Sequence, residues 1–118
     1  MHKPLTCLIV DDSPEFLASA SRLLGSQGVQ VVGQATTSRE ALDAVAALDP
    51  DVALVDIELG DEDGIALARQ LAERAPSLQI VLISAYDPAD VGELVVDSRA
   101  LGFIPKSSLS ADAVRALL

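Results

Sequence analysis

Leu5-Thr6-Cys7-Leu8-Ile9-Val10 runs directly into Asp11-Asp12-Ser13-Pro14. A run this apolar reads as a strand buried on both faces, as in parallel sheets covered by helices, and the two acids close it. Ser13 and Pro14 then read as N-cap and first helical position. Phe16, Leu17, Ala20, Leu23 and Leu24 form one helical stripe that ends near Gly25. The unit is strand, acids, helix.

The unit recurs outward from that stretch. Val29-Gln30-Val31-Val32 reads as a second strand. Thr37, with Glu40 three residues later, reads as a capping box before the stripe Ala41, Leu42, Val45, Ala46 and Leu48. Val52-Ala53-Leu54-Val55 leads into Asp56, a loop carries Gly60 and Gly64, and Ile65, Ala68, Leu71 and Ala72 mark a helix halted before Pro76. Gln79 to Ile83 is a fourth strand ending at Ser84. Asp87-Pro88 offers a cap and first position for a helix reaching about Leu101, weakened by Gly92 inside it. Phe103-Ile104 is a short fifth strand closed by Pro105, and Ser110 caps a last helix with Ala113, Val114, Leu117 and Leu118 apolar. Five such alternations predict an α/β, doubly wound fold with right-handed crossovers.

At 118 residues the chain fits one domain able to bury a core without staples. Half of it is hydrophobic but only 3% aromatic, so that core consists mainly of Leu, Val, Ile and Ala. The net charge of -10 repels phosphate backbones and anionic lipid, which argues against direct nucleic-acid or membrane binding and favours a cation or a basic partner. Cys7, the one cysteine, reads as a small buried hydrophobe in a reducing compartment. The N-terminal apolar stretch is too short for a signal-peptide core or a membrane span, so a cytoplasmic location is expected. The apolar helical pattern at Ala116-Leu117-Leu118 stops without a capping residue, and truncation of residues 1–118 within or just after the last helix is expected.

In open parallel sheets, ligands bind outside the carboxyl ends of the strands, where strand order reverses. Asp11 and Asp12 follow strand one, Asp56 follows strand three, Ser84 ends strand four and Lys106 follows strand five, so these distant residues are expected at one sheet edge. Singly, an acid after a strand is most often a solvated turn or a helix cap. Together, three carboxylates raise the pKa of at least one of them unless a cation neutralises them. Oxygen ligands without His or Cys favour magnesium or manganese. Such a metal keeps open positions for phosphate oxygens. Lys106 can offset charge on a transferred phosphoryl group, the Ser84 hydroxyl can donate to it, and Asp56 remains as nucleophile.

Asp11-Asp12, Ala53-Leu54-Val55-Asp56, Asp63-Gly64, the run from Ile80 to Ser84-Ala85, and Gly102-Phe103-Ile104-Pro105-Lys106 together resemble the receiver domain of bacterial two-component response regulators, the CheY-like superfamily. The likeness covers essentially the whole chain. It implies a flavodoxin-like five-stranded parallel sheet of order 2-1-3-4-5. It further implies that Asp56 accepts a phosphoryl group from a histidine kinase or phosphotransfer protein. Magnesium would be held by Asp11, Asp12, Asp56 and the backbone carbonyl of Glu58. Ser84 and Phe103 would be switch residues that alter the face of helix four, strand five and helix five, so the chain would catalyse only its own phosphorylation and dephosphorylation. An output domain or downstream protein, and homodimerisation on phosphorylation, are the further partners implied. The tail from Gly102 to Ala113 is similar to receivers joined to a helix-turn-helix DNA-binding domain, which implies transcriptional output.

This chain departs from the common pattern in three places. Gly60 stands where many receivers have proline, followed by Asp61-Glu62-Asp63, so a more mobile loop is expected there. Ser107 replaces the frequent proline after Lys106, removing the usual reason to expect a cis bond. Glu58 and Tyr86, each two residues beyond a site residue, are expected to flank the path of an attacking water and to tune dephosphorylation. Three other readings compete. A haloacid-dehalogenase-like phosphatase requires Asp-x-Asp after the first strand, which Asp11-Asp12-Ser13 lacks. A flavin or nucleotide binder requires a phosphate cradle that these acids would repel. A phosphorylation-independent protein-binding receiver typically lacks one of the acids or the lysine, all of which are present.

Overall fold

Successive side chains of a strand point to opposite faces, and in the central strands of this chain both sets are apolar. The structure is a computed structural model and describes residues 3–118. Its strands are β1 (Thr6–Val10), β2 (Gln30–Ala35), β3 (Val52–Asp56), β4 (Gln79–Ser84) and β5 (Gly102–Pro105). Its helices are α1 (Pro14–Ser26), α2 (Ser38–Leu48), α3 (Gly64–Arg74), α4 (Val91–Ser98) and α5 (Ala111–Leu117). Leu8, Val10, Ala53, Val55, Ile80 and Leu82 enter one core with Ala41, Val45, Ala68 and Leu71 of α2 and α3. The alternate residues Cys7, Ile9, Val52, Leu54, Val81 and Ile83 enter a second core with Leu17, Leu24 and Val114 of α1 and α5. All the strands of this sheet run parallel, in the order β2-β1-β3-β4-β5. The flavodoxin-like doubly wound sheet is as expected, with its reversal of order between β1 and β3.

The helix starts follow from their caps. Ser13 Oγ accepts the Phe16 N–H at 3.3 Å, Thr37 Oγ1 accepts the Glu40 N–H at 3.1 Å, and Ser110 Oγ accepts the Ala113 N–H at 3.0 Å. Several expectations need correction. The Glu40 carboxylate accepts chiefly from the backbone N–H and hydroxyl of Thr36, at 2.7 and 2.8 Å, and more weakly from the Thr37 N–H, so the capping box is displaced toward Thr36. The fourth helix does not begin at Asp87-Pro88 or reach Leu101. It spans Val91–Ser98, starts at Asp90 without a side-chain cap, and ends where Arg99 turns left-handed at φ 62°. Its shortness has a local cause, because Gly92 weakens it and the Ser98 hydroxyl accepts the Ala100 N–H just past its end. The second strand lies slightly further along than expected and extends through Gly33 to Ala35.

The segment after β3, expected to be more mobile, is paired. Glu58–Leu59 and Glu62–Asp63 form a short antiparallel ladder, turning at Gly60 with φ 60°. Glu62 Oε1 accepts the Ser38 N–H at 3.0 Å, which ties this hairpin to the first turn of α2. Cys7 is fully buried, and burial pushes its thiol up to about 12, in keeping with an inert core residue. Among the described residues, no helix is long and apolar enough to cross a membrane.

Candidate phosphoacceptor site

The alternation that divides the core also assembles the site. Asp11 continues the parity of Cys7 and Ile9, and Asp56 that of Val52 and Leu54, so both belong to the side covered by α1 and α5. Lys106, just past β5, meets them there. Its ammonium is 2.5 Å from Asp11 Oδ2 and 3.2 Å from Asp56 Oδ2. Ser84 has the parity of Ile80 and Leu82 and belongs to the other side, together with Phe103, which pairs in register with Leu82 and packs half-buried against that core. Asp11, Asp56 and Lys106 thus sit on one side of the sheet edge, and the two switch candidates on the other.

One carboxylate oxygen from each of Asp11, Asp12 and Asp56 lies within 4.8 Å of the others. Asp11 is fully buried, Asp56 nearly so, and Asp12 is exposed. Asp11 Oδ1 accepts the Ser13 N–H at 2.8 Å, holding the turn from β1 into α1. Asp11 Oδ2 touches the ammonium as an ion pair but has no aligned hydrogen-bond donor. A buried carboxylate oxygen in that condition, beside two further carboxylates and without His or Cys in the cluster, fits a hard divalent cation. The residues present could therefore hold a metal of the magnesium type.

Asp56 uses both oxygens: Oδ1 accepts the Glu58 N–H at 3.1 Å and Oδ2 accepts from Lys106. Burial pushes its carboxyl up to about 6; Lys106 and the Glu58 N–H pull it down, and the Asp11 charge adds to the rise. Burial also disfavours the Lys106 ammonium, but its contacts with Asp11 and Asp56 outweigh this, and its pKa is raised. At the end of β4, Ser84 is buried and its Oγ accepts the Tyr86 N–H at 3.1 Å. A cleft of about 200 Å³ above these groups is lined by Asp12, Asp56, Glu58, Ser84, Tyr86 and Lys106. The five residues expected to converge do so, and Glu58 and Tyr86 both face the same cleft.

Two contributors escaped the reading of the sequence. The start of α3 packs so closely on the acceptor strand that a Cβ built on Gly64 would lie 1.8 Å from the Asp56 carbonyl oxygen. Its N–H donates to the Ile57 carbonyl at 2.9 Å. Only glycine fits, a reason that the Asp63-Gly64 motif does not reveal in the sequence alone. Phe16 is the second: its ring centroid is 4.5 Å from the Lys106 ammonium. Its place on the first turn of α1, four residues after Asp12, was the available signal.

Comparison with known proteins agrees with this geometry. The family described as the response regulator receiver domain matches residues 7–118. Protein-glutamate methylesterase/protein-glutamine glutaminase 1 of Pseudomonas aeruginosa is 37% identical over 117 residues, covering 94% of this chain and 32% of that protein. The chain spans between about a quarter and a third of the length of the curated relatives it matches. Among solved structures, the signal receiver domain of NarL from Mycobacterium tuberculosis superposes with a TM-score of 0.81 at 31% identity, covering 98% of this chain and 94% of that one. The response regulator domain of Thermotoga maritima CheB gives 0.79 at 27% identity, covering 98% and 89%. With the match running from Cys7 to the last residue, this chain belongs to the response regulator receiver domain family.

Proposed function

We propose that residues 1–118 form a receiver domain that accepts a phosphoryl group on Asp56 from a histidine kinase or phosphotransfer protein. The observation that carries this reading is the state of Asp56: a nearly buried carboxylate at the end of β3, held between a backbone N–H and an ammonium and open to the cleft. In the reaction an Asp56 oxygen forms the new P–O bond as the P–N bond of the donor phosphohistidine breaks, and the imidazole leaves with the electron pair. Lys106 offsets the negative charge on the phosphoryl oxygens and the Ser84 hydroxyl donates to one of them. Asp11, Asp12, Asp56 and the backbone carbonyl of Glu58 would hold Mg2+ or Mn2+, which supplies further positive charge to those oxygens. The domain catalyses only its own phosphorylation and dephosphorylation.

Ser84 and Phe103 then act as the switch: movement of the hydroxyl toward the phosphoryl group frees space for the ring and alters the face of α4, β5 and α5. That face signals to an output domain or a downstream protein and serves for homodimerisation on phosphorylation, in the cytoplasm. Transcriptional output finds support in the likeness to RcsB of Salmonella, whose structure bound to a promoter is 25% identical to this chain over the aligned part. The methylesterase relatives support an enzymatic output instead, and sequencing the complete reading frame decides between them. Glu58 and Tyr86 slow loss of the phosphoryl group by hindering water at the mouth of the cleft. Glu58→Asn and Tyr86→Ala should each shorten the phospho-Asp56 half-life, and unchanged half-lives would remove this part of the reading.

The test of the central claim is intact-mass analysis after incubation with acetyl phosphate or phosphoramidate and MgCl2. One added phosphoryl mass is expected on the wild type and none on Asp56→Ala. Absence of the addition on the wild type, or its presence on the variant, would overturn the claim.

A further inference from the structure

We infer that Phe16 is a positioning residue for Lys106, its ring forming the neutral wall that keeps the ammonium over Asp56. This rests on the phosphoacceptor reading above and deepens it. Three groups face the ammonium: Asp11 Oδ2, Asp56 Oδ2 and the Phe16 ring, at 4.5 Å from ammonium to centroid. Two of them change during the proposed reaction. Asp56 loses its carboxylate charge and becomes an acyl phosphate, and Asp11, if it held a cation with the other acids, would share its charge between that cation and the ammonium. The ring does neither. Its face carries a fixed partial negative charge that attracts a cation within about 6 Å of the centroid, more strongly where the pair is sheltered from water. The Lys106 side chain is only 18% exposed, so the pair is sheltered.

The position of the ring is built in by local structure. Phe16 lies on the first turn of α1, and its own N–H is the group capped by Ser13 Oγ. Ser13 is in turn held by Asp11 Oδ1. One short segment therefore supplies the two acids, the cap and the ring in a fixed relation. Lys106 approaches from β5 on the side covered by α1, where the ring awaits it. A flexible lysine stem loses side-chain entropy when immobilised; a third contact offsets that cost without adding another anion to a site already crowded with them.

A plain packing role makes a different forecast, because Phe16 also adjoins the apolar core beneath α1. Fluorination separates the two. Substituting 4-fluoro-, 3,5-difluoro- and 3,4,5-trifluorophenylalanine at position 16 drains the ring face stepwise while leaving its shape and apolarity nearly intact. The rate of Asp56 phosphorylation by acetyl phosphate should fall monotonically along the series. Phe16→Leu should lose about threefold to tenfold and Phe16→Tyr should retain most of the rate. In a Lys106→Met background, Phe16→Leu should have no further effect on that rate. An independent readout needs no phosphorylation: the Lys106 ε-CH2 proton resonances should lie upfield through the ring current and return toward their free values in Phe16→Leu. A flat fluorination series on a protein that is phosphorylated, or unshifted ε-CH2 resonances, overturns the inference alone. Failure of the wild type to take up phosphoryl mass overturns the functional reading and the inference with it.

Discussion

At Asp56, burial and charge pull in opposite directions. Desolvation pushes the carboxyl up to about 6 although Lys106 and the Glu58 N–H favour its ionised form. A folded-state pKa above the unfolded value of about 4 means the folded state binds the proton more tightly. The stability this contributes is fully present below about pH 4 and is lost as pH rises through about 6. Asp56→Asn, which cannot ionise, should therefore gain stability over the wild type on going from pH 4 to pH 7.5 in EDTA. The gain should reach up to about 2 kcal/mol, read from urea denaturation at the two pH values. An equal difference at both would contradict the desolvated-carboxylate account. Gly64 makes an opposite case, where any side chain is excluded by the Asp56 carbonyl. Gly64→Ala should cost at least about 2 kcal/mol and slow phosphorylation, because the acceptor backbone has to move; thermal melts and intact-mass time courses measure both.

The elements inherit their positions from a few polar contacts at their ends. Asp63 caps α3 through the Ile65 N–H at 2.9 Å and also closes the hairpin that follows the acceptor. Asp63→Ala should lower stability by about 1 kcal/mol in chemical denaturation. At the other end of the sheet, Thr6 and Asp51 clamp β1 to β3: Asp51 Oδ2 accepts the Thr6 N–H and Thr6 Oγ1 accepts the Asp51 N–H, both at 2.9 Å. The backbone N–H and then the hydroxyl of Thr6 hold the Asp51 carboxyl below its usual value. A depressed carboxylate stabilises above its unfolded pKa and loses that contribution as pH falls through the folded one. In Thr6→Val, the Asp51 carboxyl should titrate at higher pH than in the wild type by 13C NMR. The element the sequence described least well is α4. Nothing in Asp87-Pro88-Ala89-Asp90 distinguishes a real cap from a polar loop, and the boundary was set instead by the left-handed turn at Arg99.

At the scale of the molecule, a charge of -10 is concentrated partly in a cluster that fits a cation. MgCl2 should raise the melting temperature beyond NaCl of equal ionic strength, because salt only screens whereas a bound ion stabilises the folded state alone. At a hundred times its Kd such an ion adds about 2.7 kcal/mol, or roughly 10 °C for a domain of this size. Asp12→Asn should lose most of the excess over NaCl. A shift equal in the two salts would indicate screening without a site.

The repeated strand and helix signals determined the doubly wound sheet, because apolar runs of strand length between capped helical stripes leave few other arrangements. They also determined that Asp11, Asp12, Asp56, Ser84 and Lys106 share one edge, since each ends or follows a parallel strand. The finer division was decided only in the folded chain. Which side of the sheet each residue serves depends on strand parity carried through to the last residue, and that parity put Lys106 with Asp11 and Asp56, and Phe103 with Ser84. The closeness of Gly64 to the Asp56 backbone, the tie between Glu62 and α2, and the Phe16 ring against the ammonium depend on distances between elements remote in sequence. Periodicity fixes directions along one element; it carries no information about such separations, which follow from how the two cores pack.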